Sequence, residues 1–285
     1  MKILLAGATG NLGRQIFQVF WDRKMEFVAL APDIEKLQSY QRDSVTFHQV
    51  DVTCPESLRG VCQGIDLVIS TIGLTTVKSN LTNLAVDYQG NLNLLQEAQQ
   101  SGVRNFIYIS VYGVDTDATV PMLDAKYRFE QALRKSGLNW LIIRPTGYFT
   151  DFSMLFLPMA QKGTIYLMGK RQVKINPVHP LDLAEWIADN LTLTGKIVEI
   201  GGPEDFTYLE IARLCFELLE KQPRISVMPV WIMSGLIYLL RPFAKLRSDI
   251  LRFSRWTMTT PFQAPHIGKR TLKEFLRESL QRVER

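Results

Sequence analysis

The segment GATGNLG at residues 7–13, directly behind a short apolar run at 2–6, constrains this chain more than any other feature. Glycines at 7, 10 and 13 recur every third residue as the chain turns into an amphipathic pattern over 11–23. A strand turning tightly into a helix needs residues without a Cβ where backbone must approach a diphosphate. The helix that starts there offers free N–H groups and the positive end of its dipole. Spaced glycines alone mean little. Behind a buried strand and ahead of a helix, they indicate a dinucleotide site.

The first half alternates two patterns. Apolar, β-branched or aromatic runs at 2–6, 27–31, 45–50, 67–71, 105–110 and 139–144 alternate with helical patterns near 11–23, 34–40, 56–63, 81–101 and 123–136. Near-continuous apolar strands separated by helices predict a parallel sheet covered on both faces. Right-handed crossovers make it doubly wound, an α/β fold with ligand at the carboxyl ends of the strands. After Pro145 the rhythm changes. The pattern predicts a helix near 152–161, a strand at 164–168 and a turn at 168–172. At 178–182 the chain returns to the main body, with Asp182 capping a helix that runs through Leu191. A strand at 196–201, a helix at 208–220 and a strand at 224–228 follow. The expected organisation is a nucleotide-binding core over 1–150 and a small C-terminal substrate-side lobe over 151–285. The lobe interleaves with the core, because the strand near 196–201 returns to the main sheet.

The chain has 285 residues, enough for such a core with a smaller cap. Cys54, Cys62 and Cys215 form no CxxC pair, which fits a reducing compartment. The first strand follows Met1 almost at once, leaving no room for a leader, so the expected location is cytoplasmic. Net charge is +5, yet residues 221–285 alone hold 13 Lys/Arg against 4 Asp/Glu. A basic segment can meet nucleic acid, a membrane surface or only water. No nucleic-acid motif accompanies it, so that partner is disfavoured. The run SVMPVWIMSGLIYLL at 226–240 is interrupted by Pro229, Ser234 and Gly235, and it is shorter than the roughly 20 residues a bilayer span needs. Packing against the domain is one expectation. The sharper one is an interfacial helix followed by Arg241, Lys245, Arg247, Arg252 and Arg255, giving peripheral membrane contact through 226–255. Scattered His48, His179 and His266 offer no metal spacing, and neither a GxSxG nor a Cys/His nucleophile arrangement occurs.

Further motifs carry a family resemblance: QVDVT around Asp51, VISTIG at 68–73, VDYQGNLNLLQEA at 86–98, GVRNFIYISVYG at 102–113, SGLNWLIIRPTGYF at 136–149, INPVHPLDLA at 175–184 and EIGGPE at 199–204. With GATGNLG, they run over residues 1–204 in the order of the atypical short-chain dehydrogenase/reductases. The chain resembles the branch holding isoflavone reductase-like, NmrA-like and divinyl chlorophyllide reductase-like proteins. Even PHIGKRTLKEFLRE near the end is similar to that branch's closing helix. The resemblance implies a Rossmann-type fold and a cofactor placement. Gly7, Thr9, Gly10, Asn11, Leu12 and Gly13 would surround the diphosphate. Asp51 and Val52 would sit beside the adenine, although Asp51 reads equally as a turn cap. Thr71, Ile72 and Gly73 would line the ribose, and Pro145, Gly147 and Tyr148 the nicotinamide end. Many relatives place an arginine just after the second strand, where this chain has Pro32. Arg14 and Lys36 are the cations left for a 2′-phosphate, and Asp33 is either a partner for the NAD ribose or an N-cap. The balance favours NADP, with NAD the alternative.

The superfamily's usual pair is a tyrosine four residues before a lysine, the lysine lowering the phenol's pKa. The aligned lysine is Lys126, but Met122 stands where the tyrosine would be. Tyr127 is adjacent in sequence and points about 100° away on a helix. Three readings follow. Lys126 acts alone, as in isoflavone reductase-like relatives, binding and orienting the nicotinamide ribose and shuttling a proton; Tyr112 or Tyr148 supplies a phenol; or there is no catalysis, and the protein senses or is stabilised by its cofactor. Lys126 also reads as a solvated surface lysine. Ser110 ends a core strand where relatives often carry a substrate-facing hydroxyl, and reads equally as a turn residue. The implied activity is hydride transfer between a nicotinamide and a small apolar carbonyl or alkene. Tyr148, Phe149, Phe152, Leu155 and Phe156 would wall the pocket or simply pack a core. The rival is a non-catalytic NAD(P)-binding regulatory or assembly protein.

Overall fold

The computed structural model describes residues 1–37, 40, 42–74, 81–169, 172–240, 243 and 245–283. The chain divides into two units, one of Met1–Arg144 with Leu183–Val198, the other of Pro145–Asp182 with Glu199–Arg285.

The first unit is built on β1 (Ile3–Ala6), β2 (Phe27–Ala31), β3 (Val45–Gln49), β4 (Leu67–Ser70), β5 (Asn105–Ile109) and β6 (Asn139–Pro145). β1, β2 and β4 are buried along their whole length, as near-continuous Ile, Leu and Val runs require. β1 pairs in parallel with both β2 and β4. β3 extends the sheet beyond β2; β5 and β6 extend it beyond β4, all in parallel register. The full order is β3-β2-β1-β4-β5-β6, then β9 (Lys196–Ile200), in one seven-stranded sheet. This is the expected Rossmann-type doubly wound fold. Its strand order reverses between β1 and β4, which is where such sheets open a crevice beyond their carboxyl ends.

Helix α1 (Asn11–Asp22) lays Leu12, Ile16, Phe17, Val19 and Phe20 into the core, the Phe17 ring meeting Phe27 edge-on at 5.2 Å. Among the described residues two expected helices are 3₁₀ turns, and Gln38 and Ser39 of the first lie outside those residues. Near 34–40 the helical part is Glu35–Leu37, and near 56–63 it is Pro55–Leu58, followed by Gly60 in the left-handed region at φ +80°. The expected helix at 81–101 divides into a π-turn, Leu84–Gly90, and α2 (Asn91–Gln100). Helix α3 (Pro121–Arg134) completes the set before β6.

The second unit holds α4 (Phe149–Gln161), β7 (Ile165–Met168), β8 (Lys174–Ile175), β10 (Phe206–Thr207), α6 (Tyr208–Leu218), β11 (Ile225–Met228), α7 (Val230–Leu240), α8 (Lys245–Thr259) and α9 (Leu272–Val283). β11 pairs with β7 in parallel, and β10 with β8 antiparallel. Phe149, Phe152 and Phe156 are core residues here, Phe152 and Phe156 each packing on Tyr208, while Leu155 is exposed. The tip of the turn expected at 168–172 (Lys170 and Arg171) lies outside the described residues.

Asp182 is not a helix cap. In α5 (Pro180–Asp189) its carboxylate accepts the backbone N–H groups of Lys269 and Arg270 and pairs with the Arg270 guanidinium. The cap comes instead from His179, whose Nδ1 accepts the Leu181 N–H at 3.0 Å. The imidazole packs edge-on against Phe149 and Phe275, a structural histidine. No described helix is long and apolar enough to cross a membrane.

Candidate functional site

At the end of β1 the backbone turns sharply. Gly7 adopts φ +84°, and a Cβ there would meet Thr71 Oγ1 at 2.6 Å. A Cβ on Gly13 would land on the Gly7 carbonyl, so α1 can approach the strand only with glycine there. The turn is fixed by Gly7 and Ala8 N–H bonds to the Leu30 carbonyl and by Gly10 N–H to Gly7 O at 2.9 Å. No side chain caps α1 at Gly10, and its first turn carries no acid. Its positive end is left available to an anion. Thr9, Asn11 and Leu12 belong to this same turn, and Arg14 is exposed on the first turn of α1.

The second loop comes from β4. Thr71 donates its hydroxyl to the carbonyls of Ala6 and Gly7, at 3.0 and 3.2 Å, and its N–H to Ala6 O. Its side chain therefore holds the glycine turn to the β4 loop. Ile72 is buried. Gly73 is hemmed in: a Cβ would stand 3.0 Å from Asp87 Oδ1 and 3.4 Å from Lys126 Nζ.

Asp87 is the residue that sequence patterning did not single out. The π-turn places it, fully buried, against the β4 loop, where Oδ2 accepts from Leu74 N–H and Asn83 Nδ2. Asn91 ties the turn down, donating to the Asp87 and Ile72 carbonyls and accepting from Ser70 Oγ at 2.5 Å. Among the described residues Asp87 Oδ1 has no hydrogen bond, and it faces Lys126 Nζ at 3.4 Å. Its signal was an acid within the helix-patterned VDYQGN, but a regular α-helix register gave no reason to prefer it. π-turns recur at functional sites.

Lys126 is buried, not solvated as a surface helix lysine would be. Its ammonium also contacts Ile109 O at 3.3 Å and Tyr108 Oη at 3.4 Å. Tyr108 was not anticipated either. It is wholly enclosed, and burial above all, then Asp87 and Glu130, holds its phenol well above the ordinary range. That shift is opposite to what a proton-transferring phenol needs. Ser110, one residue past β5, has a buried Oγ without a hydrogen-bond partner among the described residues. Tyr112 is half-buried in the turn beyond, Met122 is half-buried on α3, and Tyr127 faces outward. Glu130 turns instead to Arg144, in a buried two-pronged pair at 2.7 and 3.1 Å.

Asp51 and Val52, expected beside the adenine, lie just beyond β3. Asp51 is exposed and caps a turn, its Oδ1 accepting from Thr53 N–H and Oγ1 at 2.9 and 2.6 Å. Val52 is held by Asn93 Nδ2 on its carbonyl, and a Cβ on Gly90 would touch its side chain. Pro32 is exposed. Asp33 Oδ1 accepts the Glu35 N–H at 3.1 Å, the capping reading. The Lys36 side chain lies outside the described residues. In the second unit, Pro145 ends β6, Gly147 has φ +126°, and the Tyr148 N–H donates to Asp151 Oδ2 at 3.0 Å. Burial, with Asp151 beside it, raises the Tyr148 phenol above its ordinary value.

A glycine turn at the strand-order reversal, an uncapped helix start beyond it and a pinned second loop define a Rossmann-type nucleotide-binding protein. A family model described as NAD(P)H-binding matches residues 7–192, and the chain belongs to that family. Among curated relatives, the photosystem II assembly factor Ycf39 of Guillardia theta is 26% identical over 245 residues, which is 84% of this chain and 77% of that one. The chloroplastic divinyl chlorophyllide a 8-vinyl-reductase of Oryza sativa subsp. indica is 28% identical over 271 residues, covering 86% of this chain and 65% of that one. Among solved structures, the Citrobacter sp. triphenylmethane reductase complexed with NADP(H) superposes with a TM-score of 0.73 at 20% identity, over 98% of this chain and 99% of that one. The resemblance to the atypical short-chain dehydrogenase/reductases stands.

Proposed function

We propose that the chain is an NADP-dependent oxidoreductase that reduces a small, largely apolar carbonyl or alkene. The observation that carries this reading is the buried Lys126–Asp87 pair, closed over by Gly73 beside the glycine turn. A buried ammonium and carboxylate are retained against their desolvation, and such groups concentrate at functional sites.

The cofactor, when bound, supplies hydride. Gly7, Gly10, Gly13 and the start of α1 hold its diphosphate, because backbone N–H groups and the helix dipole suit that charge. Thr71 keeps the two loops in register. Lys126 Nζ is the proton-bearing group of the site, held by Asp87 Oδ1 on one side and the Ile109 carbonyl on the other. Ser110 Oγ is a buried donor with its bond still to make. Tyr148 is a weaker candidate for the proton, since burial raises its phenol's pKa. NADP is favoured over NAD because Asp33 caps its own turn. The relative named as a vinyl reductase supports an alkene substrate.

A second reading keeps the cofactor and drops turnover, making the chain a regulatory or assembly protein. Met122 in the tyrosine position favours it, as does the relative named as an assembly factor. Titration with NADPH and NADH, followed by nicotinamide fluorescence and thermal shift, separates the cases when paired with a carbonyl and alkene screen. NADPH binding with turnover that collapses in Lys126→Met supports the first reading. Binding without turnover supports the second, and binding of neither nucleotide overturns both.

A further inference from the structure

Helix α7 contains no charged residue and packs inward through one stripe, Met233 and Ile237. Polar contacts to α8 secure that stripe: Ser248 Oγ donates to the Ile237 carbonyl, and Arg255 to Ser234 Oγ, each at 3.1 Å. The expectation that 226–240 packs against the domain is met where Ser226–Met228 pair with β7 and, in α7, on that stripe. Much of the rest of the helix surface is exposed. Trp231 is 74% exposed, Tyr238 78% and Leu239 68%, and Phe243 just beyond is 90% exposed. A helix that is apolar all round belongs in a core or against something equally apolar.

Charge selects what covers it. Between Glu220 and Asp249 the chain carries Lys221, Arg224, Arg241, Lys245 and Arg247, and no acid. A second copy seated on this face would bring two cationic segments together, which is unfavourable. An anionic surface is complementary. Trp and Tyr at either end of an apolar helix suit the headgroup level of a bilayer, and eleven residues are too few to span one. We propose that α7, together with Phe243, lies in the plane of an anionic lipid bilayer, with the flanking cations reading the headgroups. The proposal is independent of the cofactor reading.

The test is co-sedimentation of the full chain with phosphatidylglycerol/phosphatidylcholine vesicles and with phosphatidylcholine vesicles, at low and high salt. The expected result is binding to the anionic vesicles that weakens with salt. Lys245→Gln and Arg247→Gln should each weaken it about fivefold. Leu239→Glu should weaken it roughly tenfold or more while leaving the melting temperature unchanged, since the side chain is exposed. The proposal is overturned by absence of binding to anionic vesicles, or by binding that Leu239→Glu leaves intact. A dimer that Leu239→Glu disperses, without vesicle binding, would assign the face to a second copy. Binding only when the vesicles contain membrane protein would assign it to an acidic protein partner.

Discussion

In the first unit the buried charges Asp87, Lys126, Glu130 and Arg144 each meet an opposite charge, whereas in the second unit α7 leaves Trp231, Tyr238 and Leu239 outside. The difference separates two ways a fold carries function. The first unit encloses polar groups, stabilised by partners brought from distant strands and turns. The second displays apolar groups on an exposed helix face.

The largest expected effect probes whether both interiors are nonetheless equally dry. Burial pushes Cys62, in the first unit, and Cys215, in the second, up to about 12. Thiolate is the reactive form, so at pH 8 each should react about 10³-fold more slowly with a thiol reagent than in the unfolded chain. Exposed Cys54 reacts natively. Since only the unfolded state ionises these thiols between about pH 9 and 12, stability should fall over that window. Labelling along a urea gradient then shows which unit opens first. Simultaneous exposure of Cys62 and Cys215 would mean that the two interiors share one cooperative transition.

Glu130→Ala is the next largest change. It strands Arg144 in the interior, with Asp115 at 3.5 Å as a partly exposed partner, and should destabilise by about 3–5 kcal/mol in denaturant titration. A loss below about 1 kcal/mol would mean that the first unit does not depend on its enclosed pairs. Gly13→Ala should destabilise by about 1–3 kcal/mol through collision with the Gly7 carbonyl, and abolish the NADPH-induced thermal shift. Leu239→Glu should alter stability by no more than about 0.5 kcal/mol, the smallest effect, because the side chain is 68% exposed. A large loss would show that α7 is packed after all.

What could be read in advance follows the same division. Strands β1, β2, β4, β5 and β6 were legible because fully buried parallel strands write themselves as apolar runs, and the glycine turn because its spacing has a steric cause. The 3₁₀ turn at Pro55–Leu58 was overread as a helix, since a short helical pattern does not reveal the left-handed Gly60 two residues later. Asp87 was missed because the π-turn shifts its register. Arg144 was missed as the partner of Glu130 because the pair joins α3 to β6. Asp182 reads as a helix cap in any local window, while its partners lie in the segment 269–270.

Asn176 brackets Ala264, and Asp182 anchors Arg270, both across a separation of 88 residues. At ribosomal rates of about 5–20 residues per second, the first partner emerges some 4–18 s before the second. During that interval the glycine turn and strands β1 to β6 are already out, and the carboxylate of Asp182 waits without its arginine. Strands β1 to β6 can thus pair on a nascent chain before the partners that fix Asn176 and Asp182 have been made.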